Sequence, residues 1–116
     1  MGKGVPASGL PEPGLAFDKA LQAQVAVAAA TGIRLDALVE SRRGDARTAF
    51  ARQTAMYLCR LVFAMSFGDI AAAFARDRST ARHAVQRIEE AREDPDIDRR
   101  LSWLEHSLEQ AGGVHG

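Results

Sequence analysis

A run of polar and basic side chains at residues 76–87 is the part of this 116-residue sequence best suited to contact another molecule. Arginine can bind phosphates or guanine edges, and hydroxyl and imidazole groups can hydrogen-bond to other base edges. If Ala81, Ala84 and Ile88 face a core, the helical rotation of about 100 degrees per residue turns the polar groups outward. Those expected on the opposite face are Ser79, His83, Gln86 and Glu90, with Arg82 and Arg87 on its two shoulders.

Two predicted helices around this run have the pattern of a helix-turn-helix. Ser66 followed by Asp69 predicts a capped start for a short helix over 67–75, and a second helix follows over about 79–93. Either Asp77 or Ser79 can cap the second helix. Such a motif places its second helix in the major groove of DNA, with flanking cations near phosphates. The pattern alone supports two interpretations about equally: a helix that contacts DNA, and an arginine-rich helix whose polar face is only solvated.

The rest of the sequence predicts an all-α fold, a compact bundle of five to six helices. Hydrophobic residues make up 47% of the chain, and alanine, which favours helix, is the most frequent of them. Leu21, Val25 and Ala28 are expected to face the core from the first helix, and Gly32 to end it in a left-handed conformation. The further helices are predicted over 17–31, 36–40 and 49–64, and after Pro95. The third is expected to face the core with Ala51, Ala55, Leu58, Cys59 and Val62, widened by Met56 and Phe63. The last carries an apolar stripe that could close the core or meet a partner, formed by Ile97, Leu101, Leu104, Leu108 and Ala111.

One domain is expected, because 116 residues would not support two cores. Residues 1–15, rich in Gly and Pro, are predicted to be a disordered arm, and residues 16–112 a single helical domain. The formal net charge is zero, yet residues 34–92 hold 11 arginines against 7 acidic groups, and residues 93–116 hold 6 acidic groups against 2 arginines. A basic middle and an acidic tail are therefore predicted.

Three segments together resemble the C-terminal DNA-binding domain of the bacterial replication initiator DnaA. They read Ala-Arg-Gln-Thr-Ala-Met-Tyr-Leu at 51–58, Ser-Phe-Gly-Asp-Ile-Ala-Ala-Ala-Phe at 66–74 and Arg-Asp-Arg-Ser-Thr-Ala-Arg-His-Ala at 76–84. The family's corresponding stretch reads Gly-Arg-Asp-His-Thr-Thr, two apolar residues, His and Ala. The resemblance covers roughly residues 21–108 and implies a Trp-repressor-like helical fold.

By this resemblance, the residues that meet bases and phosphates in the major groove are Asp77, Arg78, Ser79, Thr80 and His83. It places Arg52 and Arg87 at backbone-contacting positions, and Arg76 is expected to supply a further cation. The family's His-Thr pair is replaced by Arg78 and Ser79, an apolar position by Arg82, and the turn before Arg76 is one residue shorter. The basic residue that the family sends into the minor groove aligns with Phe50, which leaves Arg47 or Arg43 as substitutes.

We therefore expect a sequence-specific regulator that binds double-stranded DNA with altered specificity. Arg78 and Arg82 would favour guanine edges, because the guanidinium matches the two acceptors that guanine presents. The resemblance leaves two roles open: transcription regulation, such as activating a phage-derived gene cluster with a partner protein, or control of replication initiation. The alternative is a protein-interaction module of the same fold that modulates the initiator without binding DNA. Its predicted partner-binding residues are Trp103, Leu104 and Leu108, although Trp103 could instead pack beneath the N-terminal arm.

Several function classes lack sequence support. There is no phosphate-binding Gly-x-x-x-x-Gly-Lys-Ser/Thr motif, so no bound nucleotide is expected. No nucleophile–base pair is suggested either, so no enzymatic activity is expected. The three histidines have no companions at ligand spacing, so no metal or other cofactor is predicted. The sequence shows no membrane span and no signal peptide, so the protein is expected to be cytoplasmic, and nucleoid-associated if it binds DNA. A protein partner or a homodimer is expected because a monomeric site offers few phosphate contacts. Cys59, the only cysteine, is predicted to be buried and reduced.

Overall fold

The computed structural model describes residues 13–40 and 45–113, with side chains described for 16–40 and 45–111. Over these ranges the chain forms six helices and no strand, which confirms the all-α bundle. None of the helices in the described ranges combines the length and apolar composition needed to cross a membrane. The helices are α1 (Pro13–Thr31), α2 (Leu35–Glu40), α3 (Ala46–Phe63), α4 (Phe67–Phe74), α5 (Arg78–Ala91) and α6 (Pro95–Gly113).

Helix α3 runs through the centre of the bundle and packs against each of the other five helices. Of its predicted inward residues, Ala51, Ala55, Leu58, Cys59 and Met56 are buried, whereas Val62 and Phe63 are partly buried and pack against the core. A helix buried nearly all round is the expected core of such a bundle. Burial raises the pKa of the Cys59 thiol to about 12, so this side chain is a neutral apolar group, as predicted.

The inward face predicted for α1 is wrong. Leu21 and Val25 are 47% and 48% exposed, whereas Ala20, Ala23 and Val27 are buried. Small alanine side chains let α1 approach α3 closely, which turns the larger residues outward. Gly32 does end the helix at φ 76°, as expected of a left-handed cap.

Two helices begin earlier than the sequence predicted. Helix α1 starts at Pro13, so residues 13–15 of the predicted arm are helical, and residues 1–12 lie outside the described residues. Proline suits the first helical turn because its fixed φ is already helical. Helix α3 starts at Ala46 because Asp45 accepts a hydrogen bond from the Thr48 amide at 2.8 Å. Arg47 therefore lies in the first turn of α3 and not in a loop.

Helix α6 closes the core with the stripe that its sequence predicted. Leu101, Leu104 and Leu108 are 3–6% exposed, and Ile97 packs against the core from a partly buried position. Leu104 and Leu108, also predicted to bind a partner, thus pack in the core, and their contact with a partner stays a prediction. Ala111, the last residue of the predicted stripe, is exposed. Trp103 lies off the stripe and is 63% exposed.

A polar junction centred on Arg92 joins the end of α5 to α3 and α6. The Arg92 guanidinium donates to the Tyr57 hydroxyl at 2.9 Å and to the Asp98 carboxylate at 2.6 Å. It also donates to the Ser102 hydroxyl at 3.0 Å and to the Glu105 carboxylate. Burial opposes its charge, but the hydrogen bonds with Tyr57, Asp98 and Glu105 outweigh it and raise the pKa of Arg92. One side chain thus ties three helices together.

Replacing Arg92 by alanine is expected to lower the free energy of unfolding by about 1–3 kcal/mol, because partly buried carboxylates lose their cation. Urea denaturation should show a lower midpoint with an unchanged slope. The matched control is Arg99→Ala, whose side chain is 71% exposed and forms a surface ion pair with Asp96. Equal stability losses in the two variants would contradict the structural role of Arg92.

Candidate nucleic-acid interface

The turn between α4 and α5 has the geometry that the sequence predicted for a helix-turn-helix. The Ser66 hydroxyl accepts the Asp69 amide at 3.0 Å and so caps the start of α4. At the other end Ala75 takes a left-handed conformation at φ 54°, and the Arg76 amide donates to the Ala71 carbonyl at 2.9 Å. This reversal lets the short α4 pack against α5.

The rotation of α5 about its axis decides which side chains meet a partner, and it agrees with the sequence. Ala81, Ala84 and Ile88 are 0–2% exposed and face the core. The polar residues of the helix point outward. The exposed residues are Arg78, Ser79, Thr80, Arg82, His83, Gln86, Arg87, Glu89 and Glu90. Hydroxyl, imidazole and guanidinium groups therefore share the outer side of one helix.

The start of α5 differs from the predicted cap. Asp77 occupies the N-cap position, but its side chain makes no capping hydrogen bond, and Ser79 lies inside the helix. The exposed Asp77 carboxylate therefore does not cap the helix. Arg76 is half-buried and donates to the Phe74 carbonyl at 3.0 Å, so it is fixed at the turn.

One shoulder of α5 is supported by the ring of Phe67 at the start of α4. The guanidinium carbon of Arg82 lies 4.9 Å from the centre of this ring, and that of Arg60 lies 4.4 Å from it. Arg60 is further fixed by a hydrogen bond to the Met65 carbonyl at 2.9 Å. An aromatic face attracts cations at such distances. The Phe67 ring thus contacts two arginines beside the helix-turn-helix. The sequence pattern did not predict this arrangement.

Replacing Phe67 by leucine is expected to weaken binding to all duplex sequences about two- to fivefold, because each cation–π contact contributes about 0.5–1 kcal/mol at an exposed site. Fluorescence anisotropy with labelled duplexes would measure the change. Phe17→Leu on α1, whose ring is 50% exposed, is the matched control and should bind as the parent does. A Phe67→Leu variant that folds and binds with unchanged affinity would contradict this support.

The other shoulder is held by α3. The Arg87 guanidinium donates to the Gln53 side-chain oxygen at 3.0 Å and lies 5.7 Å from the centre of the Phe50 ring. Gln53 was not predicted as a site residue, and Phe50 was noted only as a departure from the family pattern. Both contacts join residues far apart in sequence, so spacing within one helix gives no signal for them.

Two predicted DNA contacts, Arg52 for the backbone and Arg47 for the minor groove, make hydrogen bonds within the protein. Arg52 is 9% exposed and donates to the Leu38 carbonyl at 2.8 Å, so it anchors α2 to α3. Burial and, secondly, the positive charge of Arg76 lower the pKa of Arg52. Arg47 donates to the Thr31 carbonyl at the end of α1. The proposed substitute Arg43 lies outside the described residues.

A cleft of about 560 Å³ next to the turn nevertheless brings several of the predicted residues together. It lies between α2, α3 and the helix-turn-helix. Glu40 also lines it, so its walls carry both signs of charge. The predicted site residues that line the cleft are Arg52, Arg76, Asp77 and Thr80.

Comparison with known proteins gives the same family from sequence and from structure. The family model for the bacterial DnaA protein helix-turn-helix matches residues 22–88. A chromosomal replication initiator protein DnaA from Aquifex aeolicus is 37% identical over 79 residues, which are 67% of this chain and 19% of that protein.

Solved structures agree with the sequence matches. A crystal structure of a DNA replication initiation factor superposes with a TM-score of 0.72 at 33% identity, over 80% of this chain and 29% of that chain. A replication initiator DnaA bound to AMPPCP and single-stranded DNA gives 0.70 at 32% identity, over 80% and 28%. The chain thus spans under a third of the length of either solved chain and about a fifth of the Aquifex relative. It belongs to the helix-turn-helix family of bacterial DnaA proteins.

Proposed function

We propose that the chain binds double-stranded DNA in a sequence-specific manner and inserts α5 into the major groove. The helical domain predicted over residues 16–112 would act as one DNA-binding unit. The observation that carries the proposal is the rotation of α5, which buries Ala81, Ala84 and Ile88 and leaves the polar residues exposed together. A helix with this division of faces can enter a groove without disturbing the core.

The roles proposed for the side chains follow from their places on α5. Arg78, Ser79 and Thr80 lie in its first turn and His83 one turn later, where a recognition helix contacts base edges. Arg82 and Arg87 are held against Phe67 and Phe50, so we assign them to phosphates on either side of the groove. This reassigns Arg82, for which the sequence alone suggested guanine contact.

A salt titration of binding to a random-sequence duplex tests the proposal most directly. Each phosphate contact releases counterions, so the affinity should fall steeply and log-linearly as salt rises. A protein-interaction module of the same fold would show no such slope. Selection from a pool of randomised duplexes should then yield one preferred sequence, and the absence of enrichment would leave only non-specific binding.

Two biological roles fit a protein that binds a specific DNA sequence, and they predict different DNA targets. A transcription regulator, including one that activates a phage-derived gene cluster with a partner, would occupy promoters. A regulator of replication initiation would occupy origin sequences. One recognition helix makes few phosphate contacts, so we expect useful specificity to need a homodimer, a protein partner or adjacent sites. Mapping the bound DNA across the genome separates the two roles.

The alternative function, protein interaction without DNA binding, is favoured by one observation. Trp103 is 63% exposed, and large aromatic side chains are enriched at binding surfaces. This surface lies on α6, whereas the proposed DNA contacts lie on α5. The two functions are therefore compatible in one chain.

A further inference from the structure

A groove of about 940 Å³ lies between the end of α1, the first half of α3 and the first half of α6. Its apolar lining comes from all three helices. Val27, Ala51, Leu101 and Leu104 contribute to it, and these same side chains belong to the core. These core side chains are only 0–6% exposed, so the accessible apolar surface of the groove comes mainly from the half-buried Phe50 and Ile97 and from the exposed Trp103.

Trp103 and three arginines also line the groove. Trp103 is the only tryptophan of the chain and is more exposed than any other large apolar side chain recorded in the described residues. The arginines are Arg47, Arg99 and Arg100. Tryptophan and arginine are the residue types most enriched among the side chains that dominate binding energy at protein interfaces. An apolar floor with such a rim has the composition of a protein-binding site and not of a hydrated surface.

The charge of the groove specifies its occupant. No carboxylate lines it within the described residues, although Asp96 pairs with Arg99 nearby. For Arg100, which is exposed, the described residues record no ion pair, and Arg47 is fixed at the groove through the Thr31 carbonyl. A bound segment must therefore carry carboxylates for the rim together with apolar side chains for the floor.

We propose that this groove binds an acidic amphipathic helix of a partner protein. Grooves between helices receive such helices through apolar side chains at positions i, i+3, i+4 and i+7. The acidic residues of the partner pair with Arg100 and Arg99, and one of its apolar residues packs against Trp103. Phe50 lines the groove and also supports Arg87, so the occupant would lie beside the DNA-contacting side of the protein.

The test is selection of peptides from a random 14-residue library displayed against the full chain. We expect the enriched peptides to combine glutamate or aspartate with leucine or phenylalanine at helical spacing. A synthetic copy of the most enriched peptide that lacks tryptophan is then titrated into the protein. The emission of Trp103 should shift to shorter wavelength, because the peptide removes water from its ring. A scrambled copy of the peptide should cause no shift.

Variants separate this groove from the DNA-contacting side. Arg100→Glu, at an exposed position, should weaken binding of the peptide at least tenfold and leave duplex binding intact. Arg78→Ala should bind the peptide as the parent does, whatever its effect on DNA. Three results would overturn the proposal: selected peptides without acidic enrichment, an unchanged Trp103 emission, or equal peptide affinity of Arg100→Glu and the parent. Dimerisation that is abolished by Trp103→Ala would also overturn it, since the occupant would then be a second copy.

Discussion

Replacing Arg78 by alanine is expected to reduce affinity for the preferred duplex about 5- to 150-fold and to leave affinity for random duplex nearly unchanged. Arg78 is the first residue of α5 and is exposed at the end that a recognition helix presents to base edges. A guanidinium that pairs with both acceptors of a guanine contributes about 1–3 kcal/mol of discrimination against the wrong base. The loss should therefore appear as lost preference at one base position.

The measurement compares the parent and Arg78→Ala on the selected duplex and on duplexes that change one base pair at a time. At the position that Arg78 contacts, the variant should bind all four base pairs alike, and the other positions should keep their preferences. Arg99→Ala, an arginine on α6, controls for the loss of one positive charge. If Arg78→Ala weakened every sequence by the same factor, Arg78 would be a phosphate contact and the proposed role would be wrong.

The side of α5 that faces outward could be predicted because the signals for it are local. Ala81, Ala84 and Ile88 recur at helical spacing, and Ser66 caps α4 three residues before Asp69. Such patterns depend on residues within one or two turns, so the sequence contains all that is needed. The same holds for the stripe of α6, whose leucines close the core as expected.

The predictions that were wrong concern features decided by contacts between helices. Helix α1 is apolar on most of its surface, and so its sequence does not say which side approaches α3. The buried side consists of Ala20, Ala23 and Val27, because small residues allow the closest packing. Similarly, the family resemblance predicted that Arg52 contacts the DNA backbone, but the fold places its guanidinium against the Leu38 carbonyl, 14 residues away. These outcomes need the tertiary arrangement.

Arg87→Ala, in contrast to Arg78→Ala, is expected to weaken binding to every duplex by a similar factor, about five- to tenfold, which corresponds to about 1–1.4 kcal/mol. Its guanidinium is exposed on the shoulder of α5, and we assign it to a phosphate. Loss of one phosphate contact should also reduce the slope of log affinity against log salt by about one. The salt titration used for the parent measures both changes, and a loss confined to the preferred sequence would contradict the assignment.

Gln53 gives this assignment a second test, because it holds Arg87 without being placed to contact bases. Its side-chain oxygen accepts the Arg87 hydrogen bond at 3.0 Å, so Gln53→Ala frees the guanidinium and should weaken every duplex about two- to threefold. In the double variant with Arg87→Ala the change at Gln53 should have no further effect, since no guanidinium is left to position. Additive losses would show that Gln53 acts independently of Arg87. Because the preference for sequence should survive in all three variants, the cycle distinguishes positioning of a phosphate contact from reading of a base.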